Sequence, residues 1–255
     1  ETALEEVMYN GGTQCVKVAH RNHGMCRTNI WIDDESGLQI AKNIASYTNV
    51  PLGDGPGLVP IFDGRLPDGS RVNGTIPPVS PDGPTLTIRK FKEDPLTMID
   101  LVNFGTVNSR LAAMMWVWIE GQDSRPANFV IAGGTASGKT TPPNCLGRYS
   151  PWSRRLLTVE DTAELQVYHD HWLRMETRRE RPDGTPEVDM NDCLKSSLRM
   201  RPDRIIVGEV RGPECATLLT AMNTGHDGSF GSLHANTAQE TVTRMINPPM
   251  SVPPI

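Results

Sequence analysis

The sequence lacks any Cys-x-x-Cys pair, although its 255 residues include five cysteines, at positions 15, 26, 145, 193 and 215. An odd number of cysteines without the spacing of a disulfide framework predicts free thiols and a reducing compartment. Free cysteines are most often small buried hydrophobic residues, so we assign none of the five to a functional site.

Long apolar segments are also absent. The longest run, Leu111–Ile119, is about half of the ~20 residues that a helix needs to cross a bilayer, and no signal peptide opens the chain. We therefore expect a cytoplasmic protein that reaches the inner face of the cell membrane only through partners. The abrupt ends, at Glu1 and at "NPPMSVPPI", suggest a piece of a longer chain.

An excess of positive charge is the third absence. The chain has 25 basic and 30 acidic residues, for a formal net charge of -5, and no clustered basic stripe. General nucleic-acid binders are usually basic, so this balance disfavours a DNA or RNA motor.

The first 90 residues predict a small α+β domain. Short strands are indicated at 16–20 and 28–32, and the apolar spacing over 34–46 is typical of a helix. Dense turn signals ("PLGDGPG", "LPDGS", "SPDGP") then separate further short strands, as in "GSRVNGTI" and "TLTIRKF". Turns this frequent favour antiparallel pairing.

Residues 91–108 are predicted to form a linker, and 109–255 a second domain that opens with an apolar helix over 109–121. Four strands follow at wide intervals: "NFVIAG", "RLLTVE", "RIIVGE" and "GSLHA". Strands this far apart, with helical stretches between them, predict an α/β fold with a parallel central sheet covered on both faces.

The segment "FVIAGGTASGKTT" matches the phosphate-loop pattern directly after an apolar strand. Glycines let successive backbone N–H groups turn toward an anion, and the following helix contributes its positive end. Lys139 is expected to reach the β- and γ-phosphates, and the Thr140 hydroxyl to bind Mg²⁺. The predicted nucleotide-binding residues are Gly133, Gly134, Thr135, Ala136, Ser137, Gly138, Lys139, Thr140 and Thr141.

Two prolines, Pro142 and Pro143, follow the loop where its helix should continue. Proline donates no backbone hydrogen bond and disfavours helix in the preceding residue. The phosphate-facing N–H groups precede position 142, so we expect the loop to bind nucleotide while its helix is strained.

Carboxylates follow two of the predicted strands. Glu209 comes just after the buried strand that ends at Gly208, and Glu160 and Asp161 end "RLLTVE". Ligands bind at the carboxyl ends of parallel strands, so Glu209 is predicted to activate the attacking water. Glu160 and Asp161 are predicted to belong to the Mg²⁺ shell through water. Solvated strand-end residues are the alternative for each.

Three further side chains are candidates for contact with the phosphates. His234, after the last predicted strand, is suited to touch the γ-phosphate, although a lone histidine is more often structural. Arg211 and Arg244 are either surface residues or positive charges on the transferred phosphoryl group.

Together these segments resemble the secretion ATPase superfamily, which drives type II and type IV secretion, type IV pili and archaeal flagella. "GGTASGKTT" is similar to its Walker A box, "LLTVEDTAEL" to its Asp box, "LRMRPDRIIVGEVRG" to its Walker B box and "TGHDGSFGSLHAN" to its His box. The opening segment "MYNGG…VKVAHRNHGMCRTNI" most resembles the archaeal branch and, within it, the archaellum motor.

This resemblance implies a RecA-like ATPase domain, a smaller PAS-like N-terminal domain, a homo-hexamer, and ATP with Mg²⁺ as ligands. It also implies a polytopic membrane platform protein as partner. "DGRLPDGSRVNGTIPPVS" and "TLTIRKF" resemble the family's arginine-bearing segment, which makes Arg65, Arg71 and Arg89 candidates to reach nucleotide at a domain or subunit junction. The alternative function is an ATP-binding structural or regulatory subunit with little or no turnover.

Overall fold

The computed structural model describes residues 3–91, 95–122, 124–134, 137–180 and 184–253. The chain divides into two compact units: Glu1–Glu93 with Arg181–Thr185, and Asp94–Glu180 with Pro186–Ile255. Within the described ranges, no helix combines the length and the apolar character that crossing a bilayer requires.

The first unit contains a six-stranded sheet in the order β3-β2-β1-β6-β5-β4, in which every pairing is antiparallel. The predicted antiparallel arrangement is therefore confirmed. The strands are β1 Leu4–Asn10, β2 Cys15–His20, β3 Gly24–Trp31, β4 Ile61–Arg65, β5 Arg71–Thr75 and β6 Thr85–Arg89.

Helix α1, Asp34–Tyr47, belongs to the same unit. Asp33 caps its first turn, because the Asp33 carboxylate accepts a hydrogen bond from the Ser36 N–H at 2.7 Å. The buried side chains of α1, Ala41 and Ala45, join the sheet residues Phe62 and Leu86 in one core. The small alanines allow the helix backbone to approach the sheet closely.

The second unit is built on a five-stranded sheet in the order β7-β11-β10-β8-β9, and all of its pairings are parallel. The predicted parallel sheet is confirmed. Its strands are β7 Phe129–Gly133, β8 Leu156–Glu160, β9 Trp172–Glu176, β10 Arg204–Val210 and β11 Phe230–His234, and its helices are α2 Met98–Asn103, α3 Ser109–Glu120, α4 Thr141–Gly147, α5 Met190–Ser197, α6 Glu214–Asn223 and α7 Ala238–Ile246.

Two apolar cores cover the two faces of this sheet. Side chains alternate between faces along β10, so Ile205 and Val207 pack with residues of α5 and α6, whereas Ile206 packs with residues of α3 and α4. Both faces of the central strand are thus buried, which explains its unbroken apolar run. The strand's polar side chains lie near its ends: Arg204 is buried at the amino end, and Glu209 is partly buried near the carboxyl end.

Several elements were not predicted. β1, β4 and β9 are absent from the expected strands, and β9 extends the parallel sheet beyond β8. α2 lies inside residues 91–108, which the sequence predicted to be a linker. The free thiols are confirmed: all five cysteines are unpaired, and four of them, at 15, 145, 193 and 215, are buried.

Candidate functional site

The loop after β7 folds back on its own first residues. The ammonium group of Lys139 donates hydrogen bonds to the carbonyl oxygens of Gly133 and Gly134, both at 3.0 Å. A Cβ at Gly133 would collide with the Ser137 hydroxyl and lie 3.0 Å from the Lys139 side chain. Gly138 has a φ of +81°, a backbone conformation that favours glycine. The glycines therefore permit the tight turn that the phosphate-loop pattern predicted.

The remaining described loop residues lead into α4, which begins at Thr141. Ser137 donates its hydroxyl to the Gly134 carbonyl at 2.8 Å. Thr140 is the N-cap of α4, yet its side chain makes no capping hydrogen bond, so the hydroxyl remains available to a ligand. Thr141 begins the helix, and its N–H donates to the Gly138 carbonyl at 3.0 Å. The predicted Thr135 and Ala136 lie outside the described residues.

Pro142 and Pro143 occupy the first turn of α4. The first four N–H groups of a helix have no partner within it, so neither proline removes a helical hydrogen bond. The sequence suggested that the two prolines strain the helix partly by removing hydrogen bonds. In the structure they remove none, so lost helical hydrogen bonds are not a source of strain in α4.

His234 stands beside the phosphate loop. The strand register pairs it with Gly133, and its Nδ1 lies 3.2 Å from the Lys139 ammonium. An ammonium group can only donate, so Nδ1 is the acceptor in this contact, and we assign the ring proton to Nε2. The ring therefore offers an N–H donor on the side away from Lys139.

Glu209 lies at the end of β10 and is held by an ion pair. The Arg211 guanidinium donates to one carboxylate oxygen, Oε2, at 2.7 Å and lies 3.6 Å from an oxygen of Asp161. The hydrogen bond to Glu209, followed by the nearby acidic charges, raises the pKa of Arg211. Arg211 thus brings together two of the three predicted strand-end carboxylates, Glu209 and Asp161, and Oε1 of Glu209 remains available.

Glu160 ends β8 in a different environment. Its side chain is 3% exposed, and Oε2 accepts hydrogen bonds from the N–H groups of Glu164 at 2.7 Å and Leu165 at 2.8 Å. Burial raises the pKa of the Glu160 carboxyl, although these two hydrogen bonds and the charge of Arg174 oppose the shift. The other oxygen, Oε1, is buried without a hydrogen-bond partner in the structure.

The donor chemistry of Thr140 and Glu160 suits a magnesium ion that would be shared with a bound phosphate group. Mg²⁺ prefers oxygen ligands, keeps several waters and is usually held by one or two protein groups together with substrate phosphates. The uncapped hydroxyl of Thr140 and the unpartnered Oε1 of Glu160 are oxygen donors of this kind. Across the described ranges, no group of three His, Cys, Asp or Glu side chains forms an all-protein metal site.

A cavity of about 460 Å³ opens at the carboxyl ends of β10 and β11. The predicted residues Glu209, Arg211, His234 and Arg244 line it, so the fold brings these four together. Arg244, on α7, donates to the backbone carbonyl of His234 at 2.6 Å. The rest of the lining is an apolar wall made of Val210 and the segment Pro248–Met250.

Sequence reasoning missed this wall and two other residues. The Asn236 side chain faces the phosphate loop, since a Cβ at Gly134 would lie 3.1 Å from its oxygen. Glu214 binds the backbone next to Arg211 through hydrogen bonds to Arg211 and Gly212. The sequence did contain a signal for each of these residues. Asn236 follows His234 by two positions, and Glu214 is the first residue of the helix after the Walker B-like segment.

The arginines of the first unit form a row across its sheet. Strand register places Arg65 opposite Arg71, Arg71 opposite Arg89, and Arg89 opposite Glu6. Directly opposite residues point to the same face of a sheet, so the row presents three guanidinium groups together. Arg65 also lies over the ring of Phe91, 5.6 Å from its centre. Contact between this row and nucleotide stays a prediction.

Comparison with known proteins identifies relatives over most of the chain. The model of the family described as "Type II/IV secretion system protein" matches residues 57–253. Uncharacterized protein MJ0781 of Methanocaldococcus jannaschii is 53% identical over 230 residues, which cover 89% of this chain and 31% of that protein. Putative conjugal transfer protein MT3759 of Mycobacterium tuberculosis is 35% identical over 231 residues, covering 88% of this chain and 63% of that protein.

Among solved structures, the ATPase DotB of Legionella pneumophila aligns with a TM-score of 0.64 at 20% identity, over 96% of this chain and 66% of that one. At this identity the likeness shows a shared fold. The chain spans about a third of the M. jannaschii relative and less than two thirds of the M. tuberculosis one.

Proposed function

Because this chain belongs to the type II/IV secretion system protein family, we propose that it hydrolyses ATP to ADP and phosphate in an Mg²⁺-dependent reaction. The observation that carries the proposal is the meeting of Lys139 and His234 at a phosphate-loop turn, with Glu209 and His234 lining one cavity. Phosphate-binding, sensing and water-activating groups then lie at one edge of the sheet, where parallel sheets bind ligands.

In the proposed reaction, Lys139 leaves the carbonyls of Gly133 and Gly134 and pairs with the β- and γ-phosphates. Glu209 accepts the proton of a water molecule whose oxygen attacks the γ-phosphorus. The bond from that phosphorus to the β,γ-bridging oxygen breaks, and ADP leaves with the electron pair.

Two further groups stabilise the charge that develops. The Nε2 proton of His234 donates to the γ-phosphoryl oxygens, and Arg211 exchanges its contact with Glu209 for contact with phosphate. Mg²⁺, when bound at the Thr140 hydroxyl, neutralises charge on the phosphates.

Turnover of ATP by the purified protein tests this proposal. The protein is expected to bind MgATP and release phosphate, whereas Lys139→Ala weakens MgATP binding at least about tenfold because a desolvated charge pair with phosphate is lost. Isothermal titration measures binding, and a coupled phosphate assay measures release. A protein that ignores MgATP contradicts the proposal. Tight binding without phosphate release would instead support an ATP-binding structural or regulatory subunit.

We also propose the finer architecture that the family resemblance implies. The second unit is taken to be a RecA-like domain, supported by a phosphate-loop strand that is separated from the Glu209 strand by β11. The first unit is taken to be PAS-like, and the assembly a homo-hexamer in which Arg65, Arg71 and Arg89 reach nucleotide. Native mass spectrometry with MgATP is expected to show six copies, and a monomer at micromolar concentration overturns the ring.

We propose that the protein acts at the cytoplasmic face of the membrane and powers assembly or export of a surface filament. Among such machines, an archaellum-type machine is our first choice. A polytopic membrane platform protein is the proposed partner. The support is the match to the type II/IV secretion system family, and the 53% identity to the uncharacterized M. jannaschii protein favours the archaeal branch. The M. tuberculosis relative carries a conjugal transfer name. Gene neighbourhood decides: pilin-like or flagellin-like genes beside this one support the proposal, and conjugation genes overturn it.

A further inference from the structure

Glu214 is a buried carboxylate that the proposed reaction does not use. It is the first residue of α6 and is 5% exposed. One oxygen, Oε1, accepts hydrogen bonds from the N–H of Arg211 at 2.6 Å and from the N–H of Gly212 at 2.7 Å. Glu214 therefore reaches back from its helix to the loop that follows β10.

This contact resembles the half of a capping box in which an acidic side chain accepts from backbone N–H groups before the helix, but the reciprocal bond from an N-cap side chain is missing. The N-cap of α6 is Pro213, which makes no side-chain capping hydrogen bond, and the Glu214 carboxylate binds residues that precede the helix. Gly212 leaves room for the contact, because a Cβ there would lie 3.1 Å from Oε2 of Glu214. The carboxylate is packed against the loop and fixes two successive peptide groups.

The fixed backbone carries the Arg211 side chain, which contacts both Glu209 and Asp161. Arg211 is long and its side chain is 66% exposed, so a mobile backbone would spread the guanidinium over many positions. We propose that Glu214 is a positioning residue: it holds the Arg211 backbone so that the guanidinium stays beside Glu209 at the strand end, from where it reaches phosphate in the proposed reaction. The predicted effect of Glu214 on reaction rate rests on the proposed ATP hydrolysis. The predicted effect of Glu214 on the order of the loop does not.

Two substitutions separate the hydrogen bonds from the charge. Glu214→Ala removes the acceptor, and we expect kcat for ATP to fall about tenfold because the reacting groups lose their alignment, with KM changed less than about twofold. Glu214→Gln keeps an acceptor oxygen and should retain at least about half of the activity. Because Glu214 acts through Arg211, adding Glu214→Ala to Arg211→Ala should lower kcat no further.

A second readout needs no turnover. Amide hydrogen exchange at Arg211 and Gly212, followed by NMR in the full chain, should accelerate at least about tenfold in Glu214→Ala and stay near the wild-type rate in Glu214→Gln. Asp189→Ala is the matched control, since it removes a carboxylate that accepts the Asp192 N–H at 2.7 Å at the start of α5. That variant should lose thermal stability without changing kcat or the exchange of Arg211 and Gly212.

The outcomes distinguish the two proposals. If the wild type releases no phosphate, the proposed function fails, while exchange at Arg211 and Gly212 still tests Glu214. Unchanged exchange in Glu214→Ala overturns the positioning role, whatever the ATPase result. In an active enzyme, an unchanged kcat in Glu214→Ala, or a fall that multiplies with that of Arg211→Ala, also overturns it.

Discussion

Glu160 and Glu209 end neighbouring strands of the same sheet, yet their surroundings differ. β8 and β10 are parallel, with Val159 opposite Val207, so both glutamates lie at the same edge. Glu160 is buried and accepts backbone hydrogen bonds from the chain that follows it, whereas Glu209 faces a cavity and pairs with Arg211. The comparison teaches that a strand-end glutamate acquires its chemistry from the loop that follows the strand.

The largest expected effect is on hydrolysis. Glu209→Gln should lower kcat about 100-fold or more, because the amide accepts no proton from water, while ATP binding is retained. Glu160→Gln should lower kcat about tenfold at most, because Glu160 is proposed to act only by binding Mg²⁺ through water. Phosphate release and nucleotide titration on both variants provide the measurement. Equal losses in the two variants would break the contrast between the strand ends.

The next effect is on stability and has the opposite order. Glu160→Ala leaves the N–H groups of Glu164 and Leu165 without their acceptor, which should lower the free energy of unfolding by about 2 kcal/mol. Glu209→Ala removes a partly exposed ion pair and should cost about 0.5 kcal/mol or less. Urea denaturation of both variants measures the difference. A larger loss of stability for Glu209→Ala would contradict the conclusion that Glu160 stabilises the loop after β8 by accepting its N–H groups.

The smallest effect is a dependence on pH. Burial raises the pKa of Glu160 above its usual value of 4.5, so the folded state holds this proton where the unfolded state has released it. The contribution of Glu160 to stability is therefore greatest below pH 4.5 and falls as pH rises through the folded-state pKa. Relative to Glu160→Gln, which does not titrate, the wild type should lose stability on going from pH 4 to pH 7. A parallel pH profile would show that the carboxyl pKa is not raised.

Local patterns carried much of the prediction. Short sequence segments predicted the phosphate loop, the parallel strands and the strand-end positions of Glu209 and His234. The spacing of residues within each segment restricts the local geometry that it can adopt. The sequence also placed Asp161 near the site, and the structure adds its link to Arg211.

Contacts between distant segments were beyond local patterns. Glu160 accepts hydrogen bonds from Glu164 and Leu165 only because the loop after β8 turns back toward the strand. The apolar wall of the cavity forms only because Pro248–Met250 reaches β10. β9 was missed because its segment, "WLRME", mixes polar and apolar residues at the edge of the sheet. Such features arise from packing across the chain, which no short motif records.

Arg244 gives the strand that ends at His234 a connection to α7. Its guanidinium holds the His234 carbonyl at 2.6 Å, and it lies in the last turn of that helix. A histidine that shifts when it meets phosphate would pull on this carbonyl, and the pull would pass to the helix and to the Pro248–Met250 segment beyond it. If nucleotide binds at this strand end as proposed, Arg244 would link its arrival directly to the position of α7.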